Sequence, residues 1–173
     1  MRMGSILGIA SGGMLAMAMA VAPAAVIAQG NPTILKPAEV QKLLPASVFY
    51  SGQSAPTQLR NSGGVKFADG HFILATLVDT SGYSSGIVAK YQAYFVTEVA
   101  IHVGGKNLSA GVYGIGFVAK DKFLVTDVGA HDVLTVASST DNDLKRPIPL
   151  QVVADPGGGF RIYAGRRYVV LSR

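Results

Sequence analysis

Cysteine and tryptophan are both absent from the 173-residue chain, and only 14% of its residues are charged. Without cysteine there is no disulfide, no thiolate nucleophile, no iron–sulfur ligation, no cysteine-type zinc site and no thioether lipid anchor. Without tryptophan the strongest flat platform for a sugar ring is gone, although the seven tyrosines can still stack. Basic stripes are lacking too. The 15 Lys and Arg face 10 Asp and Glu and stand singly except at Lys145-Arg146 and Arg166-Arg167, which gives no footprint for nucleic acid. No glycine-rich phosphate loop joins a strand to a helix, since Gly114-Ile115-Gly116 falls inside a strand pattern. What remains is 49% hydrophobic, which excludes a disordered chain and suits one domain with its own core.

The first 28 residues stand apart from the rest. Arg2 is the only charge before Lys36, an Ala/Met/Gly/Leu-rich run extends from about Ile6 to Ala22, and Val26-Ile27-Ala28 supplies a small-x-small site. These three parts predict a signal peptide over residues 1–28, cleaved after Ala28, and therefore an exported protein of the periplasm or the extracellular space. A retained membrane anchor is the competing reading. The run is too rich in Gly, Ala and Ser to favour a spanning helix, so no stable membrane insertion is expected after cleavage. Residues 29–46 then form an N-terminal extension with a short helix within Asn31–Pro45. Pro37 suits a first helical position, Pro45 ends the pattern, and Val40, Leu43 and Leu44 share one face. Such a helix is expected to lie across the edge or end of a sheet.

From residue 47 to 173 the pattern is that of strands. Ser47–Tyr50, His71–Asp79, Lys90–Val96, Glu98–Val103, Val112–Ala119, Phe123–Val128, Val133–Ser138, Leu150–Ala154, Phe160–Ala164 and Tyr168–Leu171 are rich in β-branched and aromatic residues. Thr97, Val99, Ile101 and Val103 alternate with Glu98 and His102. Tyr113, Ile115 and Phe117 alternate with Gly114 and Gly116, which leave room for a close neighbour. With so little helix between strands, the fold expected is mainly β: a single antiparallel β-sandwich, prealbumin- or immunoglobulin-like. Three polar segments, Ser51–Gly64, Thr80–Gly86 and Ser138–Pro149, read as loops too long for plain hairpin turns.

The stretch Gly105-Lys106-Asn107-Leu108-Ser109-Ala110-Gly111-Val112-Tyr113, continued by Gly114 to Phe117, resembles the G-x-x-L-x-x-G-x-Y hairpin of a bacterial exported family of unknown function. Similar L-x-x-G-x-Y turns recur in prealbumin-like and carboxypeptidase-regulatory-like sandwiches. The resemblance covers about thirty residues and implies a β-sandwich without implying an activity. In it Leu108 plugs the core, Gly111 permits the tight turn and Tyr113 enters the next strand facing inward.

Chemistry is sparse. Gly82-Tyr83-Ser84-Ser85-Gly86 matches the G-x-S-x-G string of a nucleophile elbow, with Asp127 and His131 downstream in a workable order. The elbow should open a helix, whereas Tyr91 to Thr97 reads as strand, so catalysis at Ser84 is the alternative and a non-catalytic module the favoured reading. His71, His102 and His131 show no ligand spacing, and Asp141-Asn142-Asp143 lacks the Gly and Glu of a calcium loop, so neither a metal nor another cofactor is expected. The most function-like segment is Ser51–Gly64. Gln58, Arg60 and Asn61, with Tyr83 from the next loop, are the candidate ligand-binding residues, suited to a polar ligand or an envelope protein partner. The competing account has Arg60 and Asn61 merely tying the segment to its own carbonyls. A third reading is a structural envelope protein that pairs through its sheet edges.

Overall fold

The computed structural model describes residues 30–173. The expected signal peptide, residues 1–28, lies outside the described residues. Two antiparallel sheets pack face to face, as the alternating strands require. The larger has the order β1 (Thr33–Leu35), β3 (Gln53–Lys66), β4 (Phe72–Val78), β5 (Ala93–Thr97), β8 (Gly111–Val118), β9 (Lys122–Thr126), β10 (Asp132–Ala137), with β2 (Ser47–Tyr50) paired to the first part of β3. The smaller runs β12 (Gln151–Ala154), β13 (Phe160–Ala164), β14 (Arg167–Ser172), β6 (Ile101–Val103), β7 (Lys106–Leu108), with β11 (Ser139–Thr140) beside β14.

Between the sheets lies the main core, which includes Ile73, Phe95, Ile115, Phe123 and Val125 from the first sheet and Ile101, Val103, Ile162 and Leu171 from the second. The expected alternation at Thr97–Val103 is present: Thr97, Ile101 and Val103 are buried, Val99 packs on the core, and Glu98 and His102 are exposed. Glu98 also pins the crossover between sheets, its carboxylate accepting from the Phe72 amide at 2.9 Å.

Strands β4 and β5 are covered on both faces, Ile73, Ala75 and Phe95 lying in the core between the sheets and the outer face carrying two further covers, which explains why Phe72–Val78 is apolar but for Thr76 rather than alternating. One cover is α1 (Pro37–Val40), whose Val40 joins Leu35 and Leu44 on Leu74. The other is β2 with α2 (Ser85–Val88), where Val48 and Tyr50 pack with Val78 and Tyr91. Among the described residues no helix is long and apolar enough to cross a membrane.

Four expectations need correction. The N-terminal helix is one turn long, preceded by β1, and it lies on the outer face of the large sheet rather than across an edge or end. Because the helix stops at Val40, Leu43 leaves the shared face and is 46% exposed. Ser51–Gly64 is not a loop. Ser51 and Gly52 make a tight turn at φ 46° and 85°, and Gln53–Lys66 forms the 14-residue β3, whose polar side chains hid it from a pattern based on hydrophobic residues. In the Gly105–Phe117 hairpin, Leu108 is buried and Tyr113 packs on the core as expected. The left-handed turn residues, however, are Gly104 and Gly105 at φ 53° and 83°. Gly111 instead makes room for the Tyr113 ring, whose hydroxyl donates to the Ser109 carbonyl at 3.1 Å.

Both sides of the sandwich close by a glycine against a valine. On one side a Cβ at Gly63 of β3 would sit 3.0 Å from the Val152 amide nitrogen of β12. On the other, a Cβ at Gly104 would lie 2.9 Å from that of Val136 in β10.

Candidate functional site

Gln58 and Asn61 belong to one local structure. The β3–β4 register steps from Gln58↔Leu77 to Ser62↔Thr76, so Leu59, Arg60 and Asn61 are extruded from the ladder as a wide bulge. Three interactions fix its shape. Leu59 packs with the α1 cover, Asn61 Nδ2 donates to Gln58 Oε1 at 3.0 Å, and the Ser62 hydroxyl donates to the Leu59 carbonyl. Asn61 therefore ties the segment to itself, as the competing account held. Arg60 does not: it is exposed, and no hydrogen bond or ion pair with a described residue engages its guanidinium.

Tyr83 is elsewhere. Its hydroxyl donates to the carbonyls of Tyr50 at 3.0 Å and Gln53 at 3.2 Å, and Gln53 lies about 17 Å along β3 from Gln58 at normal strand rise. The ring is half-buried and meets Tyr50 and Tyr91 edge-on, with centroids 6.1 and 5.9 Å away. Tyr83 thus props the β2–β3 hairpin, and the structure does not bring it to Arg60.

The tyrosine group around it is a feature that residue patterns had not shown. Tyr50 and Tyr91 stack with centroids 3.6 Å apart. Both lie against Gly114, where a Cβ would be 2.6 Å from Tyr50 and 2.8 Å from Tyr91. A Cβ at Gly116 would collide with the Lys90 carbonyl, so both glycines admit a close neighbour as their alternation suggests. Tyr50 hydrogen-bonds Thr126 Oγ1 at 2.6 Å, but the buried Tyr91 hydroxyl finds no partner among the described residues. Burial pushes the Tyr91 hydroxyl well above the usual phenol range.

Ser84 sits at the start of a helix after all, because residues 85–88 form α2 ahead of the strand. Its backbone is extended and unstrained at φ −62° and ψ 155°, unlike the sharp turn of a nucleophile elbow, and its side chain makes no cap hydrogen bond. Asp127 and His131 do form a dyad, with Nδ1 3.0 Å from Oδ2. Two amides and the His131 ring hold the Asp127 carboxyl below the usual carboxylate range. Ala130 of the same turn packs on the buried Tyr50–Tyr91 cluster, as Tyr83 and Ile87 also do, and Asp132 pairs with Lys90, two residues past α2, at 2.9 Å.

Of the other histidines, His71 pairs with Asp69 at 3.2 Å and His102 is exposed on β6. Among the described residues no group of three or more His, Cys, Asp or Glu is placed to hold a metal ion. A cleft of about 670 Å³ opens at one end of the sandwich, its lining including Asn31, Phe67, Asp69 and Phe160. At its rim Arg173 stacks over Phe67 at 4.8 Å and pairs with Asp69 at 2.6 Å, so its charge is already matched.

Comparison of the chain with protein-family models, with curated proteins and with solved structures finds no match.

Proposed function

We propose that the chain is an exported, non-catalytic binding module of the cell envelope, in which the β3 bulge presents Arg60 to a polar ligand or a partner protein. One observation carries this reading: an exposed guanidinium, unpaired among the described residues, stands on a bulge locked by the Asn61–Gln58 bond, the Ser62–Leu59 bond and the packing of half-buried Leu59. A planar fork of donors on a backbone already held in place suits a carboxylate or another planar acceptor. Gln58 and Asn61 serve by holding the bulge. Export itself rests on the tripartite pattern of residues 1–28, and the Gly105–Phe117 resemblance points the same way.

The test is thermal unfolding of the purified protein against envelope glycans, peptides, organic acids and divalent metals. A ligand that binds only the folded state adds about 2.7 kcal/mol of stability at a hundredfold excess over Kd. A stabilisation that Arg60→Ala abolishes is the expected result. A panel without any shift, or a shift that survives Arg60→Ala, contradicts it.

A second reading, a small serine hydrolase, is favoured by the Asp127–His131 dyad, on a turn whose Asp132 pairs with Lys90 just past α2. It requires that a fluorophosphonate probe label the protein and that Ser84→Ala abolish the labelling.

A further inference from the structure

The side of the sandwich opposite the Arg60 bulge carries a second surface. There the strand edges β7 and β10 face one another, unpaired among the described residues, and between them runs an open groove of about 460 Å³. Lys106 stands on one wall, Lys120 and Lys122 on the β8–β9 turn, and Asp121 is the sole carboxylate in the lining. In sequence these lysines are scattered singly; the fold gathers them.

The turn is built to hold its shape. Lys120 and Asp121 are consecutive left-handed residues at φ 62° and 50°, a conformation that non-glycine residues keep only where their surroundings dictate it. Here they do. The Ser138 amide donates to the Asp121 carbonyl at 2.8 Å, and Arg167 Nη2 donates to the carbonyls of Val118 at 2.6 Å and Lys122 at 3.2 Å and to Ser138 Oγ. Arg167 thus spends Nη2 on main chain and a hydroxyl, and its buried Nε has no partner among the described residues. Among the described residues no carboxylate forms an ion pair with Arg167 or with the three lysines, so four positive charges meet one negative charge.

We propose that this groove binds a linear polyanion bearing repeated phosphate groups, through Lys106, Lys120 and Lys122, with Arg167 bracing the turn and adding its charge from below. Lysine is a compact point charge with three donors, suited to phosphate oxygens approaching from varied directions rather than to the bidentate carboxylate geometry that arginine prefers. Lys106 Nζ already caps the Thr135 carbonyl on the β10 edge at 3.2 Å, which disfavours a partner strand pairing there and leaves charge as the main attraction. This surface is independent of the Arg60 reading, because β3 and β10 are separated by about 24 Å across the sheet.

The experiment is titration of the full chain with fluorescently end-labelled inorganic polyphosphate, read by anisotropy over a range of salt. The variants are Lys120→Gln/Lys122→Gln, Lys106→Gln, Asp121→Asn and the control Lys145→Gln/Arg146→Gln, with melting curves to show that each is folded. The double lysine variant is expected to lose about tenfold in affinity with a shallower salt dependence. Lys106→Gln should weaken binding, Asp121→Asn should tighten it, and the control should stay near the wild type. Equal loss in the control pair, equal affinity for polyglutamate of matched length, or binding confined to vesicles of anionic phospholipid would each overturn the proposal.

Discussion

The two sides of the sandwich reach closure in opposite ways. At β3 the edge is covered: β1 and β2 pair along it, α1 lies beside it, and the Thr57 hydroxyl and amide donate to the Pro45 and Ala46 carbonyls. At β10 no described strand pairs on the outer side. That edge instead has a register break near Val133, a lysine on the Thr135 carbonyl, and two more lysines on the adjoining turn. Charges follow the same division. Asp69, on the β3–β4 turn, is matched by Arg173, whereas the lysines at the β7–β10 side are unmatched among the described residues. One edge is thus protected by burial and hydrogen bonding, and the other by charge and irregularity, both known ways of keeping a strand from recruiting a neighbour. Only the second leaves a cluster of like charges open to a ligand; on the β3 side Arg60 stands alone on its bulge.

Removing the anchor of the covered side should have the largest effect. Tyr50→Ala deletes the stack on Tyr91 and the bond to Thr126 that clamp the β2–β3 hairpin to the sheet, at an expected cost of about 3–5 kcal/mol in denaturant unfolding. A loss below about 1 kcal/mol would mean that the cover is not held by this contact. On the open side, Gly104→Ala places a methyl group against Val136 in a left-handed residue and should cost about 1–3 kcal/mol. Part of that loss should return in the Val136→Ala background, which a double-mutant cycle will read.

Tyr91→Phe sharpens the account of the cover. The hydroxyl it removes is buried without a partner, so the variant should match the wild type or exceed it by about 1 kcal/mol. A clear destabilisation would show that the hydroxyl is satisfied.

The smallest effect is electrostatic. Arg173 beside Asp69, aided by the His71 amide, holds that carboxyl well below the usual carboxylate range. A depressed folded-state pKa gives stability that is fully present above the unfolded value of about 3.9 and is lost as pH falls through the folded one. Asp69→Asn should therefore flatten the acid limb of a stability–pH curve only slightly, since the pair is exposed.

Much of this architecture could be read from residue patterns, and the exceptions share a cause. Strands such as Phe160–Ala164 and Ser47–Tyr50 coincide with their expected limits because apolar residues drive both the pattern and the burial. β3 was hidden because Gln53, Ser54, Thr57, Gln58 and Asn61 carry no apolar signal. Its place is set by neighbouring strands and by the Thr57 bonds to residues 45 and 46. The candidate site divides likewise. Gln58, Arg60 and Asn61 are close in sequence and stay together, whereas Tyr83 is fixed by long-range bonds to Tyr50 and Gln53. The Lys106, Lys120 and Lys122 grouping depends on two hairpins meeting across the β7–β10 side, which no local pattern encodes.

Native-state amide hydrogen exchange tests the contrast between the two edges most directly. Covered on its outer side, β3 should exchange with β4 and β5 at the free energy of global unfolding, while β7 and the outward amides of β10 should exchange earlier through local opening. Equal protection of β3 and β10, or faster exchange from the 62–66 segment of β3 than from β10, would contradict the account.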